Sequence, residues 1–249
     1  MSVLSIYKPI GKTPLDIIKD LKKKKEYQDT KMSYAGRLDP MAHGVQIILT
    51  NDLCRQPQKY LGLDKTYEFS ICFGIETDTH DILGKITNIE LSHNVYSDNR
   101  LIISDILEKF KGKIIQEYPL YSSKRVNGHP LWYYAKNNLS VDIPVHEIQI
   151  YTLQYIDIIS LDLHQYLQEI IDRIKRLDEN YDFRQKEVIE GWIQLINTTK
   201  NQKISLLKLK AEVSSGTYIR ILVRDICDYL GIIGMTSEIH RTKIGIYEI

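Results

Sequence analysis

From Thr66 to Phe73 the chain alternates without a break, with Tyr67, Phe69, Ile71 and Phe73 on one side and Thr66, Glu68, Ser70 and Cys72 on the other. A period of two sends successive side chains to opposite faces of a strand, so this segment belongs in a sheet with one face turned to a core. Leu207, Leu209, Ala211 and Val213 repeat the pattern against Lys208, Lys210 and Glu212. Ile148 to Ile159, apolar with interspersed Tyr and Thr, reads as one or two further strands.

Helical spacing separates these strands. Lys8 to Lys12 reads as a loop, and Thr13-Pro14 then starts a helix, with Thr13 as N-cap and Pro14 at the first helical position. Leu15, Ile17, Ile18 and Leu21 supply its apolar face, and it runs into Lys22-Lys23-Lys24-Lys25. That run reads equally as a solvated helix end suited to the macrodipole and as a phosphate contact. Leu101 to Phe110 has helical character. Leu163, Leu167, Ile170, Ile171, Ile174 and Leu177 form an apolar stripe, and a second helical stretch around Lys186 to Ile196 follows Asp178-Glu179-Asn180. Residues of about 160–200 therefore read as a helical hairpin inserted between strands, structural or partner-facing in role. Ile219, Leu222, Val223, Ile226 and Leu230 mark an amphipathic helix ended by Gly231. Strands and helices mix without regular βαβ alternation, which gives an α+β class.

With 249 residues, 43% of them hydrophobic, the chain can bury a core as one domain carrying that insertion. A formal net charge of +1 does not mark a nucleic-acid binder, so any such contact must come from local basic surface. Cys54, Cys72 and Cys227 are odd in number and form no C-x-x-C pair, which points to reduced thiols in a cytosol-like compartment. The seven histidines show no ligand spacing, so no metal is expected. The first residues, MSVLSIYKPIGKTP, lack the apolar stretch of a secretory signal, and no 18-residue apolar run exists to span a membrane.

Four segments could carry chemistry. In Tyr34-Ala35-Gly36-Arg37-Leu38-Asp39-Pro40-Met41-Ala42-His43-Gly44, glycines and a proline bracket one aspartate before an apolar strand from Val45 to Leu49. Taken alone, its Asp-Pro is an ordinary turn dipeptide. Lys65-Thr66-Tyr67 opens the alternating strand, and Tyr67 reads by default as a core tyrosine, whose ring also offers a stacking face to a base. Gly74 to Asp81 is polar and turn-like, with a spacing that does not fit an EF-hand. In Ser214-Ser215-Gly216-Thr217-Tyr218-Ile219-Arg220 a strand turns into a helix with arginine in the first turn. A cation there opposes the helix dipole, so Arg220 answers a carboxylate or phosphate, or else lies on the surface.

In their order along the chain these segments resemble the TruB family of tRNA pseudouridine-55 synthases. The resemblance runs from Lys8-Pro9-Ile10-Gly11 through Gly36-Arg37-Leu38-Asp39-Pro40, Lys65-Thr66-Tyr67 and Thr77-Asp78-Thr79 with Asp81. It continues in Phe110-Lys111-Gly112-Lys113, Gln116 and Tyr121-Ser122, and closes with Ser215 to Arg220, Asp225 and Arg241-Thr242. It implies a pseudouridine synthase fold, with a mainly antiparallel sheet, flanking helices and a central RNA-binding cleft. It implies that Asp39 is the catalytic carboxylate, that Tyr67 packs on the target base, and that Arg220 pairs with the aspartate. Tyr34, Tyr218, Ile239, Lys8 and Arg37 are the implied substrate-binding residues. The implied reaction turns uridine into pseudouridine in RNA, with the T-loop of tRNA as the expected substrate and the target base flipped out.

Such an isomerisation breaks a C–N glycosidic bond and makes a C–C bond to the same ribose. Nothing is added or removed, so no cofactor is needed, but an anionic nucleophile is. Attack on the ribose and attack on the base both call for an ionised Asp39, which a paired Arg220 favours. The sequence departs from the family's pattern at Tyr34, where a histidine is usual, at Tyr118-Pro119, where prolines are paired, and in the long insertion. The chain is expected to lack a C-terminal PUA domain, to be a monomer, and to act in the cytoplasm, with an organelle or the nucleus left open. Two other readings are the same reaction on another RNA, and a non-catalytic RNA-binding or tRNA-folding protein.

Overall fold

A computed structural model describes residues 2–91, 100–199 and 202–249; Met1 and Lys200, which the sequence reading places in the opening segment and at the end of the insertion, lie outside them. In chain order the strands are β1 (Val3–Lys8), β2 (Met32–Ala35), β3 (His43–Thr50), β4 (Lys65–Phe73), β5 (Ile75–Thr77), β6 (Ile86–Ile89), β7 (Gly112–Glu117), β8 (Arg125–Val126), β9 (His129–Pro130), β10 (Val145–Asp162), β11 (Lys203–Val213), β12 (Gly234–Ile244) and β13 (Tyr247–Glu248). The helices are α1 (Pro14–Lys22), α2 (Gln58–Leu61), α3 (Arg100–Lys109), α4 (Leu131–Lys136), α5 (Leu163–Ile174), α6 (Gln185–Thr198) and α7 (Ile219–Leu230).

One sheet orders its strands β1-β3-β12-β4-β11-β10-β7, with β2 also on β3 and β13 on β12. Its pairings are antiparallel except for a short parallel contact of β3 with β12, His43 and Gly44 against His240 and Arg241. This agrees with the expected mainly antiparallel α+β sheet. The alternation in β4 and β11 has the predicted consequence. Tyr67, Phe69, Ile71, Leu207, Leu209 and Ala211 meet α3 and α7 in one core, through Ile106, Phe110, Leu222 and Ile226. On the opposite face Cys72, Ile204, Leu206 and Met235 meet the α5–α6 hairpin in a second core around the fully buried Trp192.

Local chemistry sets the helix ends. Thr13 and Asp16 form a reciprocal capping box, with the Thr13 amide donating to Asp16 Oδ2 at 2.8 Å and Pro14 at the first helical position. Gly231 closes α7 in the left-handed conformation at φ 65°.

Two local expectations are corrected, and one is narrowed. Lys8 is the last residue of β1 rather than part of a loop, because it pairs with Gly44 across β3. Leu15 is 47% exposed, and Asp16 is buried in its place because its carboxylate is used in the cap and by Tyr181, between α5 and α6. The segment from Ile148 to Ile159 lies within one strand, β10, which spans 18 residues.

Candidate active site

Asp39 lies in the loop between β2 and β3, and its neighbours fix that loop across the end of the sheet. Leu38 and Ala42 enter the first core, while Met41 enters the second. Buried polar side chains hold the same loop from beneath. Gln46 donates to the carbonyls of Ala35 and Gly36 at 3.0 and 3.1 Å. Arg241, 1% exposed, donates to Val45 O at 2.8 Å and Gly36 O at 3.1 Å. Lys8 Nζ donates to the carbonyls of Lys12 at 2.7 Å, Pro9 at 3.0 Å and Pro40 at 3.4 Å. Burial, with Arg241 nearby, lowers the pKa of Lys8 to about 7, although the Asp39 carboxylate works the other way. Gly44, at φ 111°, lets β12 cross β3 directly behind the loop, where a Cβ would collide with the Arg241 carbonyl.

The other half of the site is the start of α7. Tyr218 is its N-cap, and Gln116 of β7 clasps that residue's backbone, accepting from Tyr218 N at 2.8 Å and donating to Tyr218 O at 3.1 Å. Arg220 follows in the first turn and is turned inward. Its Nε donates to Asp39 Oδ2 at 2.9 Å, with the arginine side chain 5% exposed and the aspartate 34%. Nη1 donates to Thr79 O at 2.9 Å and Nη2 to Tyr121 O at 3.4 Å. Asp81 lies 3.6 Å from Nε, its other oxygen accepting from Thr79 Oγ1 at 2.6 Å and Leu83 N at 3.0 Å. Burial alone would lower the pKa of Arg220, but the Asp39 and Asp81 carboxylates outweigh it and raise it. The arginine is thus a fixed cation, and Asp39 presents an accessible carboxylate held against it.

Tyr67 and Ile239 share the first core with Leu38 and Ala42 of the loop. Among the described residues nothing hydrogen-bonds the Tyr67 hydroxyl. Burial, reinforced by the Asp39 carboxylate, pushes the Tyr218 phenol up to about 12, so it keeps its proton. Its ring meets Tyr118 and His146 edge-on, and those two stack at 4.1 Å with Lys124 over Tyr118 at 4.4 Å. Tyr34 and Arg37 pair with each other beside the loop, Arg37 Nη2 donating to Tyr34 Oη at 2.8 Å.

Asp39 and Arg220 are therefore in direct contact with Tyr218 beside them, while Tyr67 and Ile239 lie in the core that Leu38 and Ala42 of the loop enter. Lys8 differs from expectation: it is fully buried and its ammonium hydrogen-bonds only protein carbonyls, so it supports the loop and has no surface for a ligand. Sequence reasoning gave no role to Asp81, Gln116, Gln46, Arg241 or Tyr121. Membership of the ordered motif blocks was the only signal for Asp81, Gln116, Arg241 and Tyr121, and Gln46 lies in none of those blocks. Among the described residues no group of three or more His, Cys, Asp or Glu side chains could hold a metal ion, and no helix is long and apolar enough to cross a membrane.

Residues 23–170 match the family model described as TruB family pseudouridylate synthase (N terminal domain). The chain is 30% identical over 241 residues to a protein of Aquifex aeolicus named tRNA pseudouridine synthase B, covering 97% of this chain and 67% of the relative. It is 31% identical over 247 residues to the protein of the same name from Caldanaerobacter subterraneus subsp. tengcongensis, covering 99% and 70%. Among solved structures, it superposes on a chain of a Cbf5-Nop10-Gar1 complex with a TM-score of 0.57 at 20% identity. A chain of an H/ACA RNP bound to a substrate RNA containing 2'-deoxyuridine gives 0.54 at 18% identity. The chain spans about half the length of each solved chain, 49% and 48%. At these identities the likeness is one of fold.

Proposed function

The chain belongs to the TruB family of pseudouridylate synthases, and from that premise we propose that it isomerises a uridine of tRNA, in the T-loop, with Asp39 as the reacting carboxylate. The observation that carries this reading is the contact of a buried, multiply held Arg220 with an accessible Asp39 at 2.9 Å. An arginine fixed by Thr79, Tyr121 and Asp81 sets a cation against the carboxylate and aims it without shielding it. The reaction breaks N1–C1′, forms C5–C1′, and moves a proton from C5 to N1, so its atoms balance without a co-reactant.

Tyr67 contributes a ring face for the uracil and an unengaged hydroxyl near where the C5 proton leaves. Ile239 and Tyr218 complete the pocket walls, and Tyr34 with Arg37 receives the RNA beside the loop. Lys8 acts as a positioning residue beneath Asp39. A base in a folded loop must leave its stack to reach Asp39; that costs roughly a few kcal/mol, offset by stacking and pocket hydrogen bonds. The surface that meets the phosphates is local, as a net charge of +1 requires.

The test is to incubate the chain with a tRNA T-arm hairpin and map pseudouridine at single-nucleotide resolution. One modified uridine is expected, and Asp39→Ala should bind the same hairpin and form no product. Absence of product on any tRNA from folded protein overturns the reading. Full retention of function by Asp39→Ala would favour a binding or RNA-folding role instead.

A further inference from the structure

The hairpin of α5 and α6 ends in a turn that touches both halves of the site. On the Asp39 side, Gly11 lies flush against the Arg176 backbone, so close that a Cβ on Gly11 would overlap it. Gly11 N in turn donates to Pro40 O at 2.9 Å, next to Asp39. Tyr181 Oη donates to Asp16 Oδ1 at 2.7 Å, tying the same turn to the cap of α1. On the Arg220 side, Arg184 forms a fork on Asp78, Nη1 to Oδ2 at 2.6 Å and Nη2 to Oδ1 at 3.1 Å. Its guanidinium also stacks on the Tyr121 ring at 4.4 Å, and Tyr121 Oη donates to Asp78 Oδ2 at 3.2 Å.

Asp78 and Tyr121 belong to the segments whose carbonyls, Thr79 O and Tyr121 O, receive Arg220. Arg184 thus clamps together the two backbone stretches that hold the arginine. It does so from a left-handed backbone at φ 60°, a conformation that a non-glycine residue keeps only where its surroundings impose it.

We propose that the α5–α6 turn is a brace across the active site, and that Arg184 is the positioning residue through which it sets Arg220 against Asp39. The inference rests on the functional reading above and adds a role for the insertion. The inserted helices do not supply a reacting group. They connect the loop that carries Asp39 to the segments that orient its partner, so that the two halves keep one spacing.

The test uses the full chain and the T-arm hairpin on which it is active. Arg184→Ala should lower the single-turnover rate at saturating RNA by about tenfold or more while RNA affinity stays within about twofold, the pattern of a misplaced reacting group. The Nε–Hε NMR resonance of Arg220 should shift in the same variant. Arg184→Lys keeps the charge without the fork or the stack and should restore only part of the rate. Asp78→Asn should mimic Arg184→Ala, and the double variant should be no worse than either single one. An unchanged rate, or a lower rate with an unmoved Arg220 resonance, overturns the proposal. Should Arg184→Ala fail to fold, Arg184→Lys and Asp78→Asn decide by the same two readouts. A wild-type chain without activity on any tRNA counts against the functional reading, and the Arg220 resonance then decides the brace alone.

Discussion

Arg220 sits where a helix least favours a cation and where almost no water reaches it, yet it is held there by Asp39, Asp81 and two backbone carbonyls. The same crowding acts on His80, which lies between Thr79 and Asp81 at φ 59°. Burial, then the guanidinium groups of Arg224 and Arg220, lower its pKa from 6.5 to about 4, against the pull of Asp78 and Glu117. Between those two pH values the unfolded chain binds a proton that the folded chain refuses. Stability therefore rises with pH through this window and is lost on acidification. His80→Asn suits the left-handed backbone and removes the titration. Urea unfolding of the wild type should show a loss on the order of 2 kcal/mol from pH 7 to 4.5, most of it absent in the variant.

At the scale of elements, the position of the Asp39 loop depends on the crossing of β3 and β12. Gly44→Ala would drive a methyl group into the Arg241 carbonyl from a backbone that alanine already disfavours. A destabilisation of about 3 kcal/mol or more is expected by denaturant unfolding, along with lost activity. This crossing was not legible in the sequence, whereas the helix ends were. Thr13, Pro14 and Gly231 signal through residues a few positions away, and the alternation in β4 depends only on itself. Asp81 acquires its meaning from Arg220, Lys8 in part from a carbonyl 32 residues on, and Gln116 from a backbone 102 residues on. No local pattern encodes such partners. The ordered motif blocks brought Asp39 and Arg220 forward together, and they misread Lys8 as ligand-facing because a motif records that a residue matters and not whether it is buried. Leu15 fitted the helical stripe and is exposed, since Tyr181 of the α5–α6 turn takes up Asp16 instead.

For the whole molecule, the α5–α6 hairpin is joined to the core. Trp192 is fully buried, and its Nε1 donates to Ile82 O at 3.1 Å, within a cluster that includes Met41 of the Asp39 loop and strand residues of β4, β11 and β12. Trp192→Ala should cost about 3–5 kcal/mol. Calorimetry should show one transition at a lower temperature; an early, separate melting of α5 and α6 would mean that the hairpin folds as an appendage.

The pairing of β3 with β12 also has a consequence for synthesis. Asp39 and Arg220 are 181 residues apart, and the strand that closes behind Asp39 is made after both of them. Contacts so distant in sequence form late and together. A nascent chain can collapse its early helices and hairpins, but it acquires the spacing of its reacting pair only when β12 docks. A polypeptide made only as far as β11 thus carries the aspartate without its arginine.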